Sequence, residues 1–299
     1  MSFCANCGIQ VKNTLSICPN CHLDPNNPEE IINERLKKIS FEKKEKALTS
    51  KLEYPGESSS LAFSIIMMIV GILIFSTISL GLFIIFLILG LIYHRIHEAQ
   101  TKAHLIRVSE NNFPMINKLA KVAAYRLKTP LPPVYILENP NLNAYTSGFW
   151  GNHWIVLYSA LIKQLNPEEL LYVIGHEMGH IKREHATWLN LTASQGTISI
   201  PLISKGLRII FNNWSIKSEY SADRAGLISN KKLKSCVSAL LMLATGHRNV
   251  DLTSYLKEFE RYKNAPLSRL SELFQTHPYI PNRIKKLKQF SEIINLILR

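Results

Sequence analysis

The stretch Asn166-Pro167-Glu168-Glu169-Leu170-Leu171-Tyr172-Val173-Ile174-Gly175-His176-Glu177-Met178-Gly179-His180 reads as one helix carrying a metal-binding pattern. Asn166 suits the cap, Pro167 the first helical position, and Glu169 the capping-box carboxylate. His176 and His180 are four residues apart, so they share a face and both imidazoles can reach one ion. Glu177 projects beside that ion, where it can take a proton from water. A catalytic zinc keeps three protein ligands and one open position, so a third ligand must come from elsewhere in the chain. Glu219-Tyr220-Ser221-Ala222-Asp223 offers one on a second helix. Glu219 could ligate the metal. Asp223, on the same face, could accept a hydrogen bond from a ligand imidazole and fix its tautomer.

Outward from this helix, residues 113–127 read as a helix that Pro130-Leu131-Pro132-Pro133 ends. Residues 134–137 and 154–158 read as strands, with hairpin-like Gly and Asn residues between them. Residues 143–147 could form an edge that takes a peptide as an added strand, or an ordinary hairpin. Beyond residue 158 the pattern is helical. Cys236 lies in an apolar helical segment and reads as a core residue. The expected fold is mainly α with a small antiparallel sheet.

Several of these stretches fall together in a known order: Asn143-Ala144-Tyr145-Thr146-Ser147-Gly148, Glu168-Glu169-Leu170 leading to His176-Glu177-Met178-Gly179-His180, Glu219-Tyr220-Ser221-Ala222-Asp223, and Thr276-His277-Pro278 with Arg283. The set resembles the membrane zinc metallopeptidases that include the HtpX-type heat-shock proteases and the CAAX prenyl proteases. It covers roughly residues 112–287, over half the chain. The resemblance implies a zincin-like metallopeptidase domain with His176, His180 and Glu219 as zinc ligands and Glu177 as general base. It also implies endopeptidase activity on membrane or unfolded proteins. His277 could donate to the oxyanion of the tetrahedral intermediate, or could cap the tail helix. Arg283 could pair with Asp223 or with substrate. Asn143, Ala144 and Tyr145 are the candidate substrate-binding residues. HtpX-type members often carry further membrane helices between the two zinc motifs. Here that interval, residues 186–214, contains Asn190, Gln195, Lys205 and Arg208, which would be costly in lipid. Soluble or interfacial helices are expected there.

Residues 61–93 contain no charged side chain. One helix of that length would run about 50 Å, well beyond a hydrocarbon core of about 30 Å. Ser76-Thr77-Ile78-Ser79-Leu80-Gly81 is the most polar stretch inside the block, so a two-helix membrane hairpin is favoured over one long tilted span. Both flanks are basic: Arg35, Lys37, Lys38, Lys43, Lys44, Lys46 and Lys51 precede the block, and Arg95, Lys102, Arg107, Lys118 and Lys121 follow it. By the positive-inside rule both flanks are cytoplasmic, which needs an even number of crossings. The expected protein is integral to a membrane, a cell inner membrane by preference, with its domains facing the cytoplasm.

Cys4, Cys7, Cys18 and Cys21 form two Cys-x-x-Cys pairs with ten residues between them. Four thiolates suit a tetrahedral structural zinc, and the set looks like a zinc ribbon. That gives one catalytic and one structural zinc. The ribbon could recruit a protein partner. The formal net charge of +13 fits an anionic membrane surface or nucleic acid. The ribbon is poor in aromatic and Arg residues, so nucleic acid is the weaker partner. The resulting organisation is a zinc ribbon over 1–26, a charged helical linker over 27–60, a membrane segment over 61–94 and the peptidase domain over 95–299. Tyr54-Pro55-Gly56 with Ser58-Ser59-Ser60 is expected to break the linker helix. The expected partners are a polypeptide substrate and membrane lipid.

Overall fold

A computed structural model describes residues 2–3, 10–11, 28–78, 104–149, 151–192, 201–248, 250–263 and 278–298, with Ile85, Ile88, Leu89, Ile92 and Lys102 singly. Among the described residues, ten helices accompany two small sheets. They are α1 (Pro28–Ser50), α2 (Glu57–Ile78), α3 (Pro114–Leu127), α4 (Ser159–Gln164) and α5 (Pro167–Lys182), then α6 (His185–Thr192), α7 (Pro201–Asn230), α8 (Leu233–Thr245), α9 (Leu252–Lys263) and α10 (Ile280–Leu298). The strands are β1 (Ser2–Phe3), β2 (Gln10–Val11), β3 (Ile106–Arg107), β4 (Val134–Leu137), β5 (Ala144–Phe149) and β6 (Asn152–Tyr158).

The larger sheet runs β3-β4-β6-β5. It is mixed, not antiparallel as expected, because β4 pairs parallel with β6. The reason lies in residues 138–143. This link is too long for a tight hairpin, and it carries the chain from β4 past the position of β6 to the sheet's far edge. There β5 forms, and the β5–β6 hairpin returns the chain inward, antiparallel to β5. Gly148 and Gly151 make that hairpin with φ values of 118° and 83°, a region where a Cβ is strained. Among the described residues β5 is therefore one edge of the sheet as well as an arm of a hairpin, so both readings of residues 143–147 hold for the backbone.

Helix α5 starts as its sequence dictates. The Asn166 side chain accepts from the Glu168 and Glu169 amides, and the Glu169 carboxylate accepts from the Asn166 amide. From residue 169 to residue 180 every side chain is buried. Helix α7 crosses it at very close range. A Cβ on Gly175 would lie 2.5 Å from the Ser229 Cβ, and one on Gly179 would lie 2.6 Å from the Ala225 Cβ. A Cβ on Gly226 would meet the Tyr172 ring at 2.6 Å. Small residues on both helices thus let the two backbones approach, and this brings Glu219 within reach of the histidines.

The segment read as a linker joins the domain core. Leu48 and Leu52 pack into the same cluster as Leu127, Phe290 and Ile294. Phe41 stacks on Tyr125 at 5.9 Å between centroids, and Lys231 pairs with Glu45. The chain break is narrower than expected. Ser58, Ser59 and Ser60 form the first turn of α2, because the Glu53 carboxylate accepts from the Ser58 amide and hydroxyl at 3.2 and 2.6 Å. Among the described residues, α2 is the one helix long and apolar enough to cross a membrane. Its described residues run to Ile78, and the rest of the polar stretch expected to turn lies outside the described residues. Phe63, Ile66, Met67, Ile69, Val70, Leu73 and Ile74 are exposed along it. Past its end, Ile85, Ile88, Leu89 and Ile92 are helical and exposed, and the rest of the expected second span lies outside the described residues. β1 and β2 pair antiparallel on either side of Cys4 and Cys7. All four clustered cysteines lie outside the described residues. Cys236 is fully buried in α8, as expected.

Gly175→Ala is expected to destabilise the protein by about 1–3 kcal/mol through overpacking. Gly206, in α7, has nothing within 4 Å of its Cβ position, so Gly206→Ala should be neutral or stabilising. Chemical denaturation in detergent of both variants beside the wild type measures the contrast.

Candidate metal centre

His176, His180 and Glu219 converge with all candidate ligand atoms within 4.8 Å of one another. The two Nε2 atoms lie 3.2 Å apart. Glu219 Oε2 is 3.6 Å from His176 Nε2, and Oε1 is 3.5 Å from His180 Nε2. Helix α5 supplies both histidines and α7 supplies the glutamate.

The protons of this cluster can be assigned from its surroundings. His176 Nδ1 lies 3.1 Å from Asp223 Oδ1. A carboxylate only accepts, so Nδ1 carries the proton and Nε2 presents a lone pair. Asp223 is itself held from three sides. Tyr172 donates to Oδ1 at 2.6 Å, and Arg283 donates to Oδ1 at 2.6 Å and to Oδ2 at 2.9 Å. Burial alone would raise the Asp223 carboxyl. The charge of Arg283, followed by hydrogen bonds from Arg283 and His176, outweighs it and brings the carboxyl down to about 2. Arg283 thus makes the Asp223 pairing, one of the two roles its position offered, and its Nη1 also lies 3.4 Å from Glu219 Oε2.

The second histidine is held by residues that sequence reasoning missed. His180 Nδ1 lies 3.0 Å from His185 Nδ1, and His185 Nε2 lies 2.8 Å from Glu57 Oε1. Burial of His185 holds its pKa down, to about 4. Its Nε2 donates to the Glu57 carboxylate, its Nδ1 accepts from His180 Nδ1, and His180 Nε2 is left with a lone pair. Two lone pairs and a carboxylate thus face each other without a proton between them. That arrangement repels itself unless a cation sits among them, and the N, N, O donor set is one that zinc takes. The residues present fit the metal.

Glu177 stands beside this cluster with Thr146 Oγ1 at 2.7 Å from its Oε2 and 3.0 Å from its carbonyl oxygen. Edge strand β5 therefore holds the carboxylate directly. A cleft of about 590 Å³ opens over His176, Glu177 and Glu219, with Asn143, Ala144, Leu243, Tyr255 and Arg283 in its walls. Tyr145 is not among the wall residues. Alternation along β5 turns its side chain away from the face of Ala144 and Thr146. It meets Tyr158 edge-on at 6.1 Å, and burial raises its hydroxyl to about 12. His277 lies outside the described residues. Its neighbours Pro278 and Tyr279 line the cleft.

Tyr172 was detectable in principle, since it precedes His176 by one helical turn. Thr146 lay inside a stretch singled out for other reasons. His185 follows His180 by five residues, off the ligand face, and only the left-handed turn at Glu184 (φ 56°) swings it back.

A helix-borne His-Glu-x-x-His pair completed by a glutamate from a second helix defines a metallopeptidase-type centre. The chain matches peptidase family M48 over residues 110–201 and 192–291, and it belongs to that family. It is 29% identical over 204 residues to the plastoglobule-localized metallopeptidase 48, chloroplastic, of Arabidopsis thaliana, an alignment covering 62% of this chain and 59% of that protein. The chain thus spans less than two thirds of that relative. It is 28% identical over 225 residues to a protease HtpX homolog of Streptococcus uberis, covering 59% of this chain and 72% of that one. Among solved structures it is similar to the crystal structure of S. mikatae Ste24p, with a TM-score of 0.41 and 17% identity over 76% of this chain and 67% of that chain.

Asp223→Ala should weaken zinc binding by roughly 10–100-fold, the usual effect of losing a partner behind a ligand. It should also cost about 3–5 kcal/mol of stability, because the buried Arg283 charge loses its main partner. Chelator competition and denaturation in detergent measure the two effects separately.

Proposed function

We propose that this protein is a membrane-anchored zinc endopeptidase acting on polypeptides, with membrane or unfolded proteins as its substrates. The observation that carries the reading is the convergence of His176, His180 and Glu219 beside Glu177 at the base of an open cleft. Bound by those three residues, zinc supplies Lewis acidity, which brings the pKa of water to about 7 and polarises a carbonyl. Glu177 takes the proton from the attacking water and returns it to the leaving amine. Thr146 holds the Glu177 carboxylate for that exchange. His277 is proposed as a donor to the developing oxyanion, from the segment that leads into the cleft wall at Pro278.

The outer edge of β5 carries no strand among the described residues. An extended substrate adds there as a further strand, with its backbone paired to residues 143–145 and its scissile bond over Glu177. Asn143 and Ala144 also face the cleft, whereas Tyr145 takes part through its backbone. The apolar walls at Leu243 and Tyr255 favour apolar side chains next to the cleaved bond.

Membrane anchoring is supported by α2, whose 22 residues span about 33 Å and leave apolar side chains exposed. The basic flanks favour a cytoplasm-facing domain. Cys4, Cys7, Cys18 and Cys21 hold a second, structural zinc, and the ribbon they form is proposed as a docking point for a protein partner.

Glu177→Gln should retain zinc and lose cleavage of an unfolded polypeptide by roughly 10²–10⁴-fold. Cleavage at the wild-type rate with zinc retained would remove Glu177 from the mechanism. Elemental analysis of the purified chain should find two zincs, one lost in His176→Ala and the other in Cys4→Ser with Cys7→Ser. A single zinc insensitive to the cysteine changes would refute the ribbon.

A further inference from the structure

The turn that leads into α2 is knitted into the metal centre from three directions. Ser221, two residues past Glu219 on α7, accepts from the Tyr54 amide at 2.8 Å and donates to Glu57 Oε2. Arg224, on the same helix, donates to the Lys51 and Glu53 carbonyls at 3.1 and 2.6 Å. From the end of α5, Arg183 pairs with Glu53 at 2.9 Å and with Glu57 at 3.1 Å. At the start of α6, His185 reaches Glu57 at 2.8 Å. Glu57 itself is 2% exposed and is the first residue of the helix proposed to enter the membrane.

A buried carboxylate at the head of an apolar helix is costly unless something specific is gained from it. Each of its contacts leads toward the ligand set. Through His185 it decides which nitrogen of His180 carries the proton, as Asp223 does for His176. The two ligands thus have separate carboxylate supports, one from the domain and one from the anchor helix. We propose that Glu57, acting through His185, is a positioning residue for the ligand His180, so that metal affinity depends on the anchor helix being docked on the domain. The inference rests on the zinc reading above.

The test uses the full chain in detergent and reads zinc affinity by chelator competition, the absorption spectrum of the cobalt-substituted protein, and the thermal midpoint. His185→Leu removes the acceptor for His180 and should raise the zinc dissociation constant roughly 10–100-fold. It should also change the cobalt spectrum. His185→Asn places an amide oxygen near the position of Nδ1, so it should restore affinity to within a few-fold of wild type. Glu57→Ala should weaken zinc, and Glu57→Gln, which keeps an acceptor, should weaken it less. Wild-type affinity in His185→Leu would overturn the relay. So would equal losses in the Leu and Asn variants that track the thermal midpoint, since those would mark a purely structural role. Failure of the zinc reading would look different: His176→Ala would leave the zinc content unchanged.

Discussion

Three electron-rich groups, two imidazole nitrogens and a carboxylate, are held within 3.2 to 3.6 Å of each other. Left alone, they would separate or take up protons. Much of the surrounding structure resists both outcomes. Asp223 holds the proton of His176 on the far side of its ring, and His185 does the same for His180. Arg283 sets positive charge beside both carboxylates of α7. The cluster is thereby pre-arranged for a cation, and one of its faces opens onto the cleft.

Such closeness demands backbones that can approach. Helices α5 and α7 meet through Gly175, Gly179 and Gly226, where an added methyl would collide with Ser229, Ala225 and Tyr172 respectively. The same crossing buries most of α5 and sets Tyr172 against Asp223. Stability and site geometry are therefore one property here. Helix α2 is part of it, since the turn before it is clamped by α7 and by the α5–α6 junction. A segment that composition marks as a charged linker is instead packed into the core through Leu48 and Leu52.

What could be read without coordinates was local. The capping box at Asn166 and Glu169, the strand over Val134–Leu137 and the helix that buries Cys236 all follow from residues a few positions apart. The spacing of His176 and His180, and of Glu219 and Asp223, is also local, because one helical turn brings residues four apart to one face. The pairing of those two helices was reached through resemblance and the need for a third ligand. The sheet's parallel pair was missed, because strand direction depends on where a connecting segment crosses, and β5 could insert at the edge or in the middle with the same alternation.

By itself, the sequence determined that a helix with two metal-facing histidines exists, that a carboxylate helix is available to it, and that an uncharged block precedes both. Only the tertiary structure decided what stands behind His180. Glu57 and His185 are separated by 128 positions. No periodicity links such residues; their contact arises from a left-handed turn at Glu184 and from the docking of α2 on α7. Local spacing encodes a face, whereas a proton's position on a buried imidazole depends on the partner that packing brings to the other side of the ring.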